Sequence, residues 1–305
     1  MLSVFDNAGI RKRHSCVPLE WYAQPHGWAE RMALYVENAV ALLAEVTSRC
    51  LEDAELSAHD IDAIVVASTT GIATPSLDAR IVERLRLRRD IERLPIFGLG
   101  CAGGVIGLAR AATMAKASPH SRVLFLVVEL CGLTFRLHDL SKSNIVAAAL
   151  FGDGAAGAIL SCEHDGPTLG PAGEHTWPAS LDIMGWDIEE DGLKAKFSRD
   201  IPTLVRDEFR EVLQRFLCRH HESVGSFDAF ACHPGGAKVL DALEEALGLP
   251  PGGLEDSRAV LREYGNMSAA TALFVLDRMQ NRWERALMSA LGPGFSAGFL
   301  VLDAR

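Results

Sequence analysis

Three side chains in this sequence are spaced as nucleophilic catalysis would require. Cys101 lies in PIFGLGCAGG (95–104), between an apolar run that reads as a strand and the helical pattern GGVIGLARAATMAKA (103–117). A thiol at the first turn of a helix faces unpaired N–H groups and the positive end of the helix dipole, both of which favour thiolate. The small residues Ala102, Gly103 and Gly104 leave room for a bulky acyl thioester. A thiol nucleophile also needs a base and donors for developing negative charge. His233 ends the apolar run FDAFACH (227–233), and Pro234, Gly235 and Gly236 follow, a stiff turn and then backbone free to approach a ligand. Asn266 stands in YGNMSAAT, ahead of the helical pattern SAATALFVLDRMQ (268–280). Each has an ordinary alternative: an inert buried thiol, a satisfied core histidine, a helix N-cap. Gly98, Gly100 and Gly103 also fit G-x-G-x-x-G, with Glu129 closing the next strand 26 positions after Gly103, so a nicotinamide-dependent oxidoreductase is a second reading. That reading leaves His233 and Asn266 unexplained, and the turn comes after a complete strand–helix segment.

The elements that would carry these residues alternate along the chain. IDAIVVAS (61–68), LPIFGLG (94–100), RVLFLVVEL (122–130) and AAGAILS (155–161) read as buried strands, and residues 28–54 and 103–117 as helices, which predicts an α/β architecture. Residues 164–200 are rich in Gly, Pro and acidic side chains and read as a junction, partly loop. The halves on either side resemble each other. DIDAIVVASTTG parallels SFDAFACHPGG, GLGCAGGVIGLARA parallels EYGNMSAATALFVLD, and SRVLFLVVE parallels ERALMSALGPG. Asp62 precedes Cys101 by 39 positions and Asp228 precedes Asn266 by 38. This predicts a duplicated core, divided as 1–163 with the cysteine and 164–305 with the histidine and asparagine.

The chain has 305 residues, 49% of them hydrophobic, and a formal charge of −10. That balance argues against nucleic acid as a partner, since there is no basic excess to neutralise phosphates. Arg11-Lys12-Arg13 is a local basic cluster that suits an anionic small molecule, although a solvated basic turn is the more ordinary reading of three charges. The seven cysteines are odd in number and scattered without C-x-x-C, the usage of a reducing cytoplasm rather than of disulfides or a structural metal; Cys16, Cys50, Cys162, Cys218 and Cys232 read as inert. No apolar leader opens the chain, and RVLFLVVELCGLTF is too short to insert in a membrane. His138 and His220-His221 lack metal-ligand spacing.

GLGCAGG, LFGDGAAGAIL, ACHPGG, EYGNMSAAT and LGPGFSAG, in this order between Gly9 and Leu302, resemble the type III polyketide synthases, the chalcone synthase-like branch of the thiolase superfamily, and their bacterial members more than the plant ones. The resemblance implies a homodimer with a five-layered αβαβα fold of two duplicated halves. It implies that Cys101 takes an acyl group from a starter acyl-CoA, and that His233 and Asn266 hold the malonyl-CoA thioester while it loses CO2 and attacks. No metal or redox cofactor is implied, only CoA thioesters as substrates. By the same resemblance Phe151 is a gatekeeper, Thr69, Cys131, Thr134 and Ser268 line the cavity, and Thr74 closes the cavity of the neighbouring subunit.

Three departures from the family pattern follow. The family carries a further strand and helix ahead of the position of Met1. Its plant members place basic CoA-binding residues near Ser3 and Asn7, so Arg11 and Lys12, with Gly235 and Gly236 at the thioester, are the substitutes expected here. A second gatekeeper phenylalanine falls at Ala195, which predicts a wider entrance. The nearest rival, a ketoacyl-ACP synthase III-like enzyme, shares the three reacting residues but has a Gln-Ala-Asn run near its histidine, unlike HPGGAK. A cysteine hydrolase fits a doubled α/β core poorly.

Overall fold

The computed structural model describes residues 2–163, 166–280 and 282–304. The first half runs α1 (Leu2–Ala8), α2 (Trp28–Asp53), β1 (Ala63–Ala67), α3 (Leu77–Leu85), β2 (Glu92–Ile96), α4 (Gly103–Ala117), β3 (Val123–Leu130), α5 (Lys142–Leu150) and β4 (Asp153–Leu160). The second runs β5 (Thr168–Thr176), β6 (Met184–Glu189), β7 (Gly192–Phe197), α6 (Ile201–Leu204), α7 (Arg210–Cys218), β8 (Ala229–Cys232), α8 (Ala237–Leu247), α9 (Glu255–Tyr264), α10 (Thr271–Met279), β9 (Arg285–Gly292) and β10 (Ser296–Asp303).

Strand order is β2-β1-β3-β4 in one sheet and β5-β10-β9-β8 in the other. β1 and β3 are parallel, as are β8 and β9, while β4 and β10 run antiparallel to their inner neighbours. The central strands are apolar on both faces, as strands covered on both sides must be. Val65, Phe125 and Val127 point towards α4 and α10, which pack between the two sheets. Ile64, Val66, Leu124 and Leu126 point the other way, onto Tyr35, Ala39 and Leu43 of α2. On the far side of the second sheet, Leu287, Phe299 and Val301 meet Phe216 of α7 and Leu240 and Leu243 of α8. The layers are therefore α, β, α, β, α.

The duplication extends to single hydrogen bonds. Asp62 accepts the Arg122 N–H at 2.9 Å and, in the other half, Asp228 accepts the Arg285 N–H at 2.7 Å, each aspartate tying the start of one parallel strand to the next.

Residues 164–200 differ from the expectation of a loop-like junction. They contain β5, which pairs with β10, and the hairpin β6–β7. β5 carries Pro171, tolerated because it is an outer strand whose register with β10 shifts between Leu300 and Leu302. Outside β4, no strand corresponding to β5 is found among the described residues; Met1, where a further strand and helix were expected to precede, lies outside them.

The start of α4 and the Ser268–Ala270 turn that leads into α10 approach so closely that only glycine fits at position 104. A Cβ there would lie 2.1 Å from the backbone oxygen of Ala269. Gly104→Ala is therefore expected to lose about 1–3 kcal/mol of stability through backbone displacement, read as a lower melting temperature with reduced activity. An unchanged melting temperature would show that the two turns can separate freely.

Candidate active site

After β2 the chain turns through Gly98, at φ +91°, and a 3-10 turn Gly100–Ala102 into α4. The Gly100 N–H is held by the Thr69 hydroxyl at 3.0 Å. A Cβ on Gly100 would lie 2.5 Å from the Pro293 ring, and one on Gly103 3.3 Å from the Ala269 Cβ. Protein packs against Gly100 and Gly103, where the dinucleotide reading needs room for a pyrophosphate, which favours the thiol-presenting turn. Cys101 is left at the head of α4, 8% exposed. Burial pushes its thiol up to about 12; the Ser268 hydroxyl works against this, the negative charge of Glu129 adds to it, and the Asn266 amide again opposes it.

His233 follows β8, its N–H bonded to the Ser289 carbonyl on β9 at 2.8 Å. Both ring nitrogens are buried without a partner. Burial lowers its pKa to about 3, so the ring is neutral and can donate from one nitrogen and accept at the other. Asn266 is anchored within its own turn and to the turn that follows His233. Its Oδ1 accepts the Ser268 N–H at 2.8 Å, and its Nδ2 donates to the Gly235 carbonyl at 3.4 Å. Its backbone N–H bonds to the Leu150 carbonyl at 2.8 Å, at the end of α5. The N-cap reading of Asn266 is met only in part: the Ser268 N–H lies in a 3-10 turn, and the amide end faces the other way. The Cys101 turn also packs on the end of β9, where a Cβ on Gly292 would lie 2.5 Å from the Leu99 carbonyl. The Asn266 amide thus bears on the thiol and is tied to the turn that follows His233.

Glu129 joins this cluster, and sequence reasoning gave it no part in thiol chemistry. It is fully buried. Its Oε2 accepts the N–H groups of Thr69 and Thr70 at 3.0 and 3.1 Å and the Thr70 hydroxyl at 2.8 Å; Oε1 accepts the Ser268 hydroxyl at 3.2 Å. Burial raises its carboxyl to about 7 against the pull of these donors. The available signal was a lone acid at the end of an otherwise apolar strand.

A cavity of about 520 Å³ opens beside the cluster, with Cys131, Thr134 and Phe151 at its inner end and Arg11, Lys12 and Leu19 further out. Cys101, His233 and Asn266 do not line it. Phe151 stands between, its backbone bridged to Asn266 and its ring facing the cavity. Thr69 and Ser268 are buried in the cluster rather than on the cavity wall. Thr74 is exposed and is not among the residues that line this cavity. Arg13 is used internally, donating to the carbonyls of Ala148 and Phe151, which leaves Arg11 and Lys12 exposed at the rim. Asn7 is exposed on α1, and the side chain of Ser3 lies outside the described residues. Gly235 and Gly236 form the turn between His233 and α8, as the sequence placed them.

Ala195, where a wider entrance was expected, is buried; Trp186 opposite it in the hairpin and Phe197 two positions along its own strand bring their rings to 5.9 and 5.6 Å from the Phe151 ring, so aromatic side chains stand on this side of Phe151.

Two duplicated halves meeting at a cysteine on the head of a central helix define a condensing enzyme of the thiolase type. The profile for "Chalcone and stilbene synthases, N-terminal domain" matches residues 20–164, and that for the C-terminal domain matches residues 170–302. The 1,3,6,8-tetrahydroxynaphthalene synthase of Streptomyces peucetius subsp. caesius is 38% identical over 309 residues, 97% of this chain and 81% of that one. Type III polyketide synthase A of Arabidopsis thaliana is 32% identical over 289 residues, 90% and 73% of the two chains. The crystal structure of the 1,3,6,8-tetrahydroxynaphthalene synthase from Streptomyces coelicolor A3(2), described as a bacterial type III polyketide synthase, superimposes with a TM-score of 0.95 at 30% identity, covering 100% of this chain and 89% of that one. The chain belongs to the chalcone and stilbene synthase family, the type III polyketide synthases, transferases that build polyketides from acyl-CoA and malonyl-CoA.

Proposed function

We propose that this protein condenses an acyl-CoA starter with malonyl-CoA by decarboxylative Claisen condensation, giving a pyrone, a resorcinol or a chalcone-type product. The observation that supports the reading is the position of Asn266, whose Nδ2 donates to the Gly235 carbonyl in the turn after His233 and whose amide opposes the rise of the Cys101 thiol's pKa. Cys101 takes the starter as a thioester. The Asn266 amide and the neutral His233 ring donate to the malonyl thioester oxygen, where loss of CO2 leaves enolate charge. The enolate carbon then attacks the Cys101 thioester and the chain grows by two carbons. No step asks for a metal or a redox cofactor.

Several further features fit this reading. Arg11 and Lys12 at the cavity rim suit the phosphates of CoA, and Phe151 suits a gate between cavity and thiol. The free edge of β2, with Phe97 beyond its end and Ile72 exposed nearby, supports a homodimer. No described helix is long and apolar enough to cross a membrane, and seven free cysteines suit the cytoplasm. The two halves divide at 163/164, the first carrying Cys101 and the second His233 and Asn266.

The test is incubation with labelled malonyl-CoA and a panel of acyl-CoA starters, without acyl carrier protein or nicotinamide. CO2 release with pyrone or resorcinol products is expected. Condensation only when malonyl-acyl carrier protein is supplied would favour the ketoacyl-ACP synthase III-like reading, and no condensation with any donor would overturn both.

A further inference from the structure

The hairpin β6–β7 is joined by strand pairing to neither large sheet. A lone two-stranded hairpin is marginally stable in water, so side chains must hold it in place. Its inner face rests beside the gate. Trp186 and Phe197 stand against Phe151, and Ala195 packs with Phe151, Ala147 and Cys131. Its tip reads Glu189-Glu190-Asp191, and this acidic turn meets Arg136. Arg136 Nη2 lies 2.7 Å from Glu189 Oε2 and 2.6 Å from Asp191 Oδ1. Lys194 on β7 adds a second tie, 3.3 Å from Glu189 Oε1 and 3.6 Å from Asp139 Oδ2.

The other side of this network is anchored. Arg136 and Asp139 lie in the loop between β3 and α5, with side chains 12% and 14% exposed. Asn144, buried in α5, donates to the carbonyls of both at 2.8 and 2.7 Å, and Asp139 Oδ1 accepts the Ser141 N–H at 2.8 Å. Gly192, at φ +144°, sets the tip beside the stem of Arg31, which is itself buried and donates to the Phe135 carbonyl at 2.8 Å. Phe151 directly follows α5, so one helix carries the gate at its end and the hairpin's anchor at its start. Nε and Nη1 of Arg136 are buried without hydrogen-bond partners, so its pairing runs through Nη2 to the tip carboxylates. Ion pairs shielded in this way are less screened by salt than exposed ones.

We propose that Arg136 is a positioning residue for starter selection: by clamping the tip of β6–β7 it holds Trp186 and Phe197 against Phe151, and so limits the acyl space beside Phe151 to short starters. The inference rests on the reading of the protein as a synthase that loads acyl-CoA starters. The clamp acts at the far end of the hairpin from the chemistry, and none of its charged groups touches the reacting atoms.

The test cuts the clamp from its more exposed side. Glu189→Gln combined with Asp191→Asn removes both tip charges while Arg136 and its loop stay in place. Hydrogen exchange of the peptide spanning 184–197 is expected to quicken by about tenfold, with β3 and β9 unchanged. The kcat/KM for dodecanoyl-CoA relative to acetyl-CoA is expected to rise by about tenfold or more, with acetyl-CoA turnover within about twofold of the unmodified protein. A merely structural role would lower turnover of both starters together and leave their ratio alone. Arg136→Gln should move the ratio in the same direction, and Arg136→Lys should recover part of it, because an ammonium keeps the charge without the guanidinium fork. Unchanged exchange overturns the clamp. Faster exchange with an unchanged ratio, or a ratio moved towards acetyl-CoA, overturns its part in starter selection. If the unmodified protein condenses no starter, the synthase reading falls instead, and hairpin exchange still reports on the clamp.

Discussion

Cys101→Ala is expected to abolish chain elongation while part of the malonyl-CoA decarboxylation survives. The two outcomes separate because the structure divides the labour. Elongation needs a covalent acyl acceptor, and the thiol at the head of α4 is the one side chain in the cluster suited to that role. Loss of product should exceed about a thousandfold, the scale seen when a covalent nucleophile is removed from a cooperating set. Decarboxylation depends instead on donors to the malonyl thioester, and His233 and Asn266 keep their backbone anchors to Ser289 and Leu150 in the variant. The substitution removes one sulfur from a small buried residue, so the melting temperature should fall little. The measurement is paired: labelled CO2 release and product formation from the same incubation. Product formation at the normal rate would show that the acyl chain grows elsewhere.

Much of this arrangement could be read along the chain, and the reason is local. α4 begins at Gly103 and ends at Ala117, as its pattern of small and apolar residues indicates, because a helix buried between two sheets has little choice of composition. Asp62 and Asp228 could be matched across the halves because each performs the same strand-start task. What escaped was set by contacts between distant segments. Glu129 looks like a charge that merely ends a strand until Thr69, Thr70 and Ser268 are brought around it, and no spacing in the sequence links those positions. β5 carries Pro171 and two glycines and lacks the apolar run of an inner strand, because it is an outer strand with one paired edge. Ala195 suggested an open entrance because a single position cannot report that Trp186, its partner across the hairpin, and Phe197, further along its own strand, bring their rings close to Phe151.

Asn266→Ala is expected to lower malonyl-CoA decarboxylation by about 10²–10³-fold, the usual consequence of losing one donor to a developing oxyanion. Starter acylation of Cys101 should persist, since that step uses the thiol and not the amide. The difficulty is that Asn266 also holds structure together. Its Oδ1 is the acceptor for the buried Ser268 N–H, and leaving that group unpaired costs about 1–3 kcal/mol. A fall in activity from alanine alone could therefore reflect a displaced Ser268 turn. Asn266→Asp separates the two causes. It keeps an oxygen for the Ser268 N–H but removes the amide donor that points towards Gly235 and the thioester. If donation is the function, both variants lose decarboxylation, and the aspartate variant does so with the Ser268 turn still anchored, as judged by a melting temperature near that of the unmodified protein. If positioning is the function, the aspartate variant recovers much of the CO2 release that alanine loses. Normal release from both would remove Asn266 from the reaction, leaving the neutral ring of His233 as the only donor in the cluster with no partner inside the protein.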